Sequence, residues 1–152
     1  MKSLDTNILL YSLNADCPEY DKSRECVDAA LAEPDNFIIA EQVFLELYSL
    51  LRNPKVMEKP LKADQAFDAV RFFRESSGWE HCVFESSFFE TLSRFLGDPL
   101  FPARRTFDAI LAVTLSLNGV RTFYTRNVKD FKDIGLFKVV DPVGLVYAAN
   151  EP

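Results

Sequence analysis

Brief runs of β-branched and aromatic residues, each too short for a helix, alternate along this chain with longer stretches of helical periodicity, and that alternation leaves few folds open. Lys2, Ser3 and Leu4 run into the turn-forming Asp5, Thr6 and Asn7, which predicts a brief strand that stops at Asp5 and a helical turn over 9–13. Phe37, Ile38, Ile39 and Ala40 form an apolar run typical of a buried strand. Thr122, Phe123, Tyr124 and Thr125 fit another, and Val139 with Val140, ahead of Asp141 and Pro142, suggests a last edge strand followed by a short helical tail to Ala149.

Between these runs the helical signals are longer. Cys26, Val27, Ala30 and Leu31 mark a helix from about Tyr20 that Pro34 ends, and residues 41–52 are rich in leucine and glutamate up to the stop at Asn53 and Pro54. Ala63, Ala66, Phe67, Val70 and Phe73 trace one apolar stripe, and Phe88, Phe89, Leu92, Phe95 and Leu96 trace another. Residues 106–118 read as a helix with Gly119 as its C-terminal stop, whereas 81–84 fit a short strand and, nearly as well, a helical or irregular segment. The pattern is that of an α/β fold: a short, mostly parallel central sheet of about four or five strands, flanked by helices on both faces. Ligands of such sheets bind beyond the carboxyl ends of the strands, where Asp5 and Asn127 fall.

Composition narrows the chemistry. A length of 152 residues suits one domain, spanning 1–152. Three cysteines without a Cys-x-x-Cys pair and a single histidine, His81, leave little for a zinc site or a serine hydrolase. The apolar stretch from Ile8 to Leu13 is preceded by Asp5 rather than by basic residues, and no run approaches the length of a membrane span, so a cytoplasmic protein is expected. The net charge of -6 is the wrong sign for bulk attraction to nucleic acid, although a site that gathers carboxylates around cations is acidic by construction.

Carboxylates are the remaining candidates. Asp5 sits at a strand-to-turn junction, where it can cap the next helix or face a ligand. Glu46 interrupts an apolar segment, with Val43 and Leu50 one turn away on either side. Such a carboxylate either lies among aliphatic side chains, at a desolvation cost a cation could offset, or projects along the edge of the stripe into water. Asp108 falls in the first turn of its helix, favourable to the dipole, beside the small Ala109 and Ala112, which would let that helix end approach a neighbouring strand. Thr125, Asn127 and Asp130 follow the penultimate strand. Together these make an oxygen-rich set without imidazole or thiolate, which suits Mg²⁺ or Mn²⁺.

The same residues carry a resemblance. Leu4-Asp5-Thr6-Asn7, the run from Gln42 through Glu46 to Leu47, Phe107-Asp108-Ala109-Ile110-Leu111-Ala112, and Tyr124-Thr125-Arg126-Asn127 followed by Asp130-Phe131 resemble, in order and spacing, the successive motifs of the PIN-domain family, in particular its VapC-type toxin ribonucleases. The resemblance implies a PIN-like fold and a metal-dependent endoribonuclease preferring single-stranded RNA, the toxin of a type II toxin–antitoxin pair. Asp5, Glu46 and Asp108 would hold one or two Mg²⁺ or Mn²⁺ ions, with Asn127 or Asp130 completing the ring and Thr6, Asn7 and Thr125 in support. Where Asn127 stands, the family often has aspartate. A cognate antitoxin and a homodimer are implied as partners, with the segment from Met57 to Phe73 or the pair Phe88 and Phe89 as contact surfaces.

For RNA, the cations flanking the motifs are the candidates: Arg52, Lys55, Lys59, Arg104, Arg105, Arg126 and Lys129. Nearly all of the fourteen phenylalanines are expected in the core. Two other functions compete. A PIN-like scaffold could bind RNA or antitoxin without cutting, and a haloacid-dehalogenase-like phosphatase could use Asp5 as nucleophile, although Asn7 stands where that chemistry needs a general acid.

Overall fold

The computed structural model describes residues 1–144. The helical tail expected up to Ala149 lies outside the described residues. Five strands of three residues each, β1 (Lys2–Leu4), β2 (Ile38–Ala40), β3 (Glu80–Cys82), β4 (Thr122–Tyr124) and β5 (Lys138–Val140), pair in parallel throughout. They form two ladders, β1-β4-β5 and β2-β3, joined by a single parallel bridge between Lys2 and Phe37. The resulting order is β3-β2-β1-β4-β5. Leu4, the whole of β2 and Phe123 are buried, as a sheet covered on both faces requires.

Among the described residues, seven α-helices connect and cover the strands: α1 (Thr6–Leu13), α2 (Tyr20–Ala32), α3 (Glu41–Leu51), α4 (Ala63–Arg71), α5 (Phe88–Leu96), α6 (Thr106–Leu117) and α7 (Val128–Lys132). Parallel neighbours need crossover segments, and the helices supply them. The main core joins Leu4, Ile8 and Leu9 to Ile39, Phe44, Leu47 and Phe123, while a smaller cluster of Phe88, Leu92, Ala109 and Val113 locks α5 onto α6. Ala109 therefore serves helix–helix packing, and only Ala112 belongs to the main core.

Local rules explain several boundaries. α6 ends because Gly119 adopts φ +82, which lets the Val120 and Gly119 amides donate back to the carbonyls of Leu115 and Ser116. α4 runs on into a π-helical turn, Phe72–Ser76. The uncertain segment near His81 forms β3 one residue earlier than its apolar run suggests, paired to β2. α7 has no counterpart among the elements that the sequence predicts.

Strand order decides where the site lies. From β1 the chain builds out to β2 and β3 on one side, then returns to place β4 and β5 on the other, so the carboxyl ends of β1 and β4 flank the point where the order reverses. A crevice opens at such a point.

Candidate active site

Asp5 follows β1 directly and is buried, only 6% exposed. Its Oδ1 accepts from the Thr6 amide at 2.7 Å, so it does cap α1, while Oδ2 accepts from Thr125 Oγ1 at 2.6 Å and from Asn7 Nδ2 at 3.2 Å. Thr125 lies just past β4, and its hydroxyl also accepts from the Asn127 amide at 2.9 Å and from Asn7 Nδ2 at 3.3 Å. Asn7 Oδ1 in turn accepts from the Arg126 amide at 3.3 Å. The turns after β1 and β4 are thus stitched together around one carboxylate. Even with these donors, burial first, and then the nearby charges of Glu46 and Asp108, push Asp5 from 3.8 up to about 7.

Glu46 takes the exposed alternative: it projects from α3 into water at the cavity rim, with Val43 and Leu47 turned inward. Of the two readings that the sequence leaves open for Glu46, the one along the edge of the apolar stripe holds. The Thr6 hydroxyl donates to its Oε2 at 2.9 Å, which ties α3 to α1. Asp108, half-buried in the first turn of α6, is raised above the ordinary carboxylate range by burial and by the charge of Asp130, with Arg105 pulling the other way. Asp5, Thr6, Asn7, Glu46, Asp108 and Asn127 all line one cavity of about 1090 Å³.

Asp130, on α7, does not reach that cavity; it lies in an adjoining cleft of about 590 Å³ with Arg104, Arg105, Arg126 and Lys129, and Asn127 borders both. Two of the cations foreseen for RNA are committed elsewhere. Arg105 is buried against Asp130, since its Nη2 donates to the Asp130 carbonyl, and Arg126 pairs with Asp141 at 2.6 Å. Arg52 donates to the Tyr48 hydroxyl at 3.1 Å and lines neither space. Arg104 and Lys129 stay exposed and, among the described residues, form no ion pair.

Sequence reasoning missed the apolar side of the cavity, formed by Tyr11, Leu45, Phe84, Phe107 and their neighbours. Leu45 and Phe107 are 73% and 72% exposed, and Phe67, Phe72, Phe84 and Phe89 also reach solvent, so the expected burial of nearly all phenylalanines is corrected. The pair at 88–89 splits: Phe88 packs into the α5–α6 cluster and Phe89 faces out. Gln42 donates to the Phe107 carbonyl at 3.2 Å, bridging α3 and α6 across the opening. An apolar residue flanking an acidic one, as Leu45 flanks Glu46 and Phe107 flanks Asp108, was the available signal.

No family model matches the chain. Ribonuclease VapC24 of Mycobacterium tuberculosis (strain CDC 1551 / Oshkosh) is 38% identical over 143 residues, covering 94% of this chain and 97% of that protein. The chain belongs to the VapC family. Solved structures agree in fold: VapBC2 from Rickettsia felis, bound to a promoter DNA fragment, superposes with a TM-score of 0.64 at 19% identity over 91% of this chain and 96% of that one. Mycobacterium tuberculosis VapC20, a Sarcin-Ricin loop cleaving toxin, gives 0.63 at 16% identity over 89% and 95%. The observed parallel sheet with its flanking helices is the VapC α/β fold.

In this VapC chain the acids do not form a closed cage. Among the described residues, no three histidine, cysteine, aspartate or glutamate side chains stand close enough to enclose an ion by themselves. Such openness fits a hard cation that keeps several of its waters. The donor set is oxygen only, and Asp5, kept from ionising at its ordinary pH by burial and, to a lesser degree, by two neighbouring acids, has the electrostatic character that a divalent cation would relieve. The cysteines Cys17, Cys26 and Cys82 are free thiols, with Cys26 and Cys82 pushed up to about 11 by burial, and Cys82 lines the cavity.

Proposed function

We propose that this chain is an endoribonuclease, the toxin of a type II toxin–antitoxin pair, and that it depends on Mg²⁺ or Mn²⁺ held by Asp5, Glu46 and Asp108. The observation that carries the reading is the convergence of these acids, from segments far apart in sequence, on one cavity at the switch point of the sheet. The relative named as a ribonuclease shares nearly the whole length of the chain.

Each residue has a part. Asp5 provides a rigid carboxylate whose oxygens are aimed by Thr6, Asn7 and Thr125. Thr6 also orients Glu46, which is otherwise free to move at the rim. Asp108 faces the cavity from α6, and Asn127 stands at its border with the second cleft, where it supplies a neutral amide oxygen in place of a further charge. A bound divalent cation supplies charge neutralisation at the scissile phosphate and an acidified water for in-line attack. Exposed Phe84 and Phe107 offer ring faces to unpaired bases, which favours single-stranded or loop RNA. Arg104 and Lys129 are the cations best placed to meet the backbone in the second cleft.

A cognate antitoxin is the expected protein partner, as in the toxin–antitoxin complex from Klebsiella pneumoniae, whose fold this chain shares with a TM-score of 0.59 at 20% identity over 93% of this chain. The apolar rim at Leu45 and Phe107 is its natural contact. No described helix is long and apolar enough to cross a membrane, and we place the protein, as a homodimer, in the cytoplasm. Asn127 favours one alternative, a scaffold that binds RNA or antitoxin without cutting. Cleavage-end mapping on cellular RNA separates the two: the wild type cuts at defined positions with Mg²⁺ or Mn²⁺, and EDTA or Asp108→Asn abolishes the cuts. Cutting that survives both removes the mechanism, and no cutting by the wild type leaves the scaffold.

A further inference from the structure

Arg105 ends the 3₁₀ turn Ala103–Arg105, three residues before Asp108. At 9% exposure it is the only charged side chain besides Asp5 that is so buried among the described residues. Its Nη2 donates to the Asp130 carbonyl on α7, its Nε lies 3.9 Å from Asp130 Oδ1, and the guanidinium covers the Phe101 ring at 5.5 Å. Nε has no hydrogen-bond partner. A buried guanidinium with an idle donor is a poor choice for stability alone, since an apolar side chain of similar volume usually does as well or better. α7, for its part, spans five residues and buries only Phe131, and a helix that short is not stable by itself without tertiary contacts.

We infer that Arg105 is a positioning residue of the nuclease site: by gripping the α7 backbone from the start of α6, it holds Asn127, at the head of α7 and on the border of the cavity, at a fixed distance from Asp108, so that both present oxygen atoms toward the same ion. The inference rests on the nuclease reading proposed above. Arg105 borders the second cleft but is only 9% exposed and turned onto the α7 backbone, so its assigned role is to position α7 and not to contact RNA or ion. Its charge also moderates the repulsion between Asp108 and Asp130, and it draws Asp108 back down against burial.

The test uses the full chain as wild type, Arg105→Met, Arg105→Lys and Asp5→Asn. Mn²⁺ binding is read by electron paramagnetic resonance on the free protein, kcat and KM are measured on a single-stranded RNA, and folding is followed by circular dichroism. Groups that orient metal ligands typically matter by about tenfold or more, so Arg105→Met is expected to weaken Mn²⁺ binding and lower kcat by about tenfold, with KM within about twofold. Arg105→Lys keeps the charge and one donor, recovers part of both losses, and serves alone if Arg105→Met does not fold.

A raised KM with kcat intact and a salt slope reduced by about one marks a phosphate contact and overturns the inference. Lower thermal stability with Mn²⁺ binding and kcat unchanged does the same, and so does tighter Mn²⁺ binding with kcat unchanged, which would make the guanidinium a mere counter-charge. If instead Asp5→Asn binds Mn²⁺ and cleaves like the wild type, the nuclease site itself is misassigned, whatever Arg105 does.

Discussion

Replacing Asp5 by asparagine should abolish cleavage and at the same time stabilise the metal-free protein at neutral pH. Burial and neighbouring acids raise Asp5 from 3.8 to about 7, and at 1.36 kcal/mol per tenfold change in proton affinity the charged form costs the fold about 4 kcal/mol. The folded state therefore binds a proton that the unfolded chain has already lost between those two values. Stability is highest below the unfolded pKa, falls as pH rises through about 7, and levels off above it. Asparagine removes the ionisation and keeps the Oδ1 acceptor for the Thr6 amide, but its Nδ2 faces Asn7 Nδ2, a donor against a donor, and no longer accepts from the Thr125 hydroxyl, which together return about 1–2 kcal/mol. The net gain is about 2 kcal/mol, or roughly 4–8 °C in Tm for a chain of this size. Thermal unfolding in EDTA from pH 5 to 8.5 measures it: the two proteins should melt together at pH 5, and the variant should melt higher at pH 8. Adding Mg²⁺ should then raise the wild-type Tm and leave the variant's unchanged. A flat wild-type profile, with the variant less stable at every pH, would refute the reasoning.

Thr125→Val removes the donor at 2.6 Å from Asp5 and strands the Asn127 amide; it should cost about 1–2 kcal/mol in urea unfolding and steepen the loss of stability with rising pH. Phe131→Ala deletes a buried ring that meets Phe123 edge-on at 4.8 Å and should destabilise by about 3–5 kcal/mol in the same assay. Phe107→Ser, on the exposed rim, should leave stability within about 0.5 kcal/mol. The same variant should raise KM for a single-stranded RNA and weaken antitoxin binding in calorimetry.

What could be read from the sequence, and what could not, divides along the line between local and long-range forces. Strand runs such as Phe37 to Ala40 and helix stops such as Gly119 are written in neighbouring residues, and they appear where expected. Glu80–Cys82 was ambiguous because a three-residue strand takes its identity from its pairing with Ile38–Ala40. α7 escaped notice because five residues with one buried side chain show no periodicity. The acids Asp5, Glu46 and Asp108 were legible as odd carboxylates at strand ends or in apolar surroundings, and all three line the same cavity. Arg105 was not: reading it as a surface cation missed that an α7 carbonyl lies within its reach, which only the tertiary fold determines. The solvent exposure of Phe84 and Phe107 likewise depends on the cavity they border.

The central claim, that the acids of these separate segments share one divalent cation, is met most directly by anomalous diffraction from crystals grown with Mn²⁺. The account predicts a peak in the cavity within about 2–2.5 Å of an oxygen of Asp5 or Asp108, with waters filling the remaining positions. A well-ordered crystal at saturating Mn²⁺ with no peak near Asp5, Glu46 and Asp108 would contradict it.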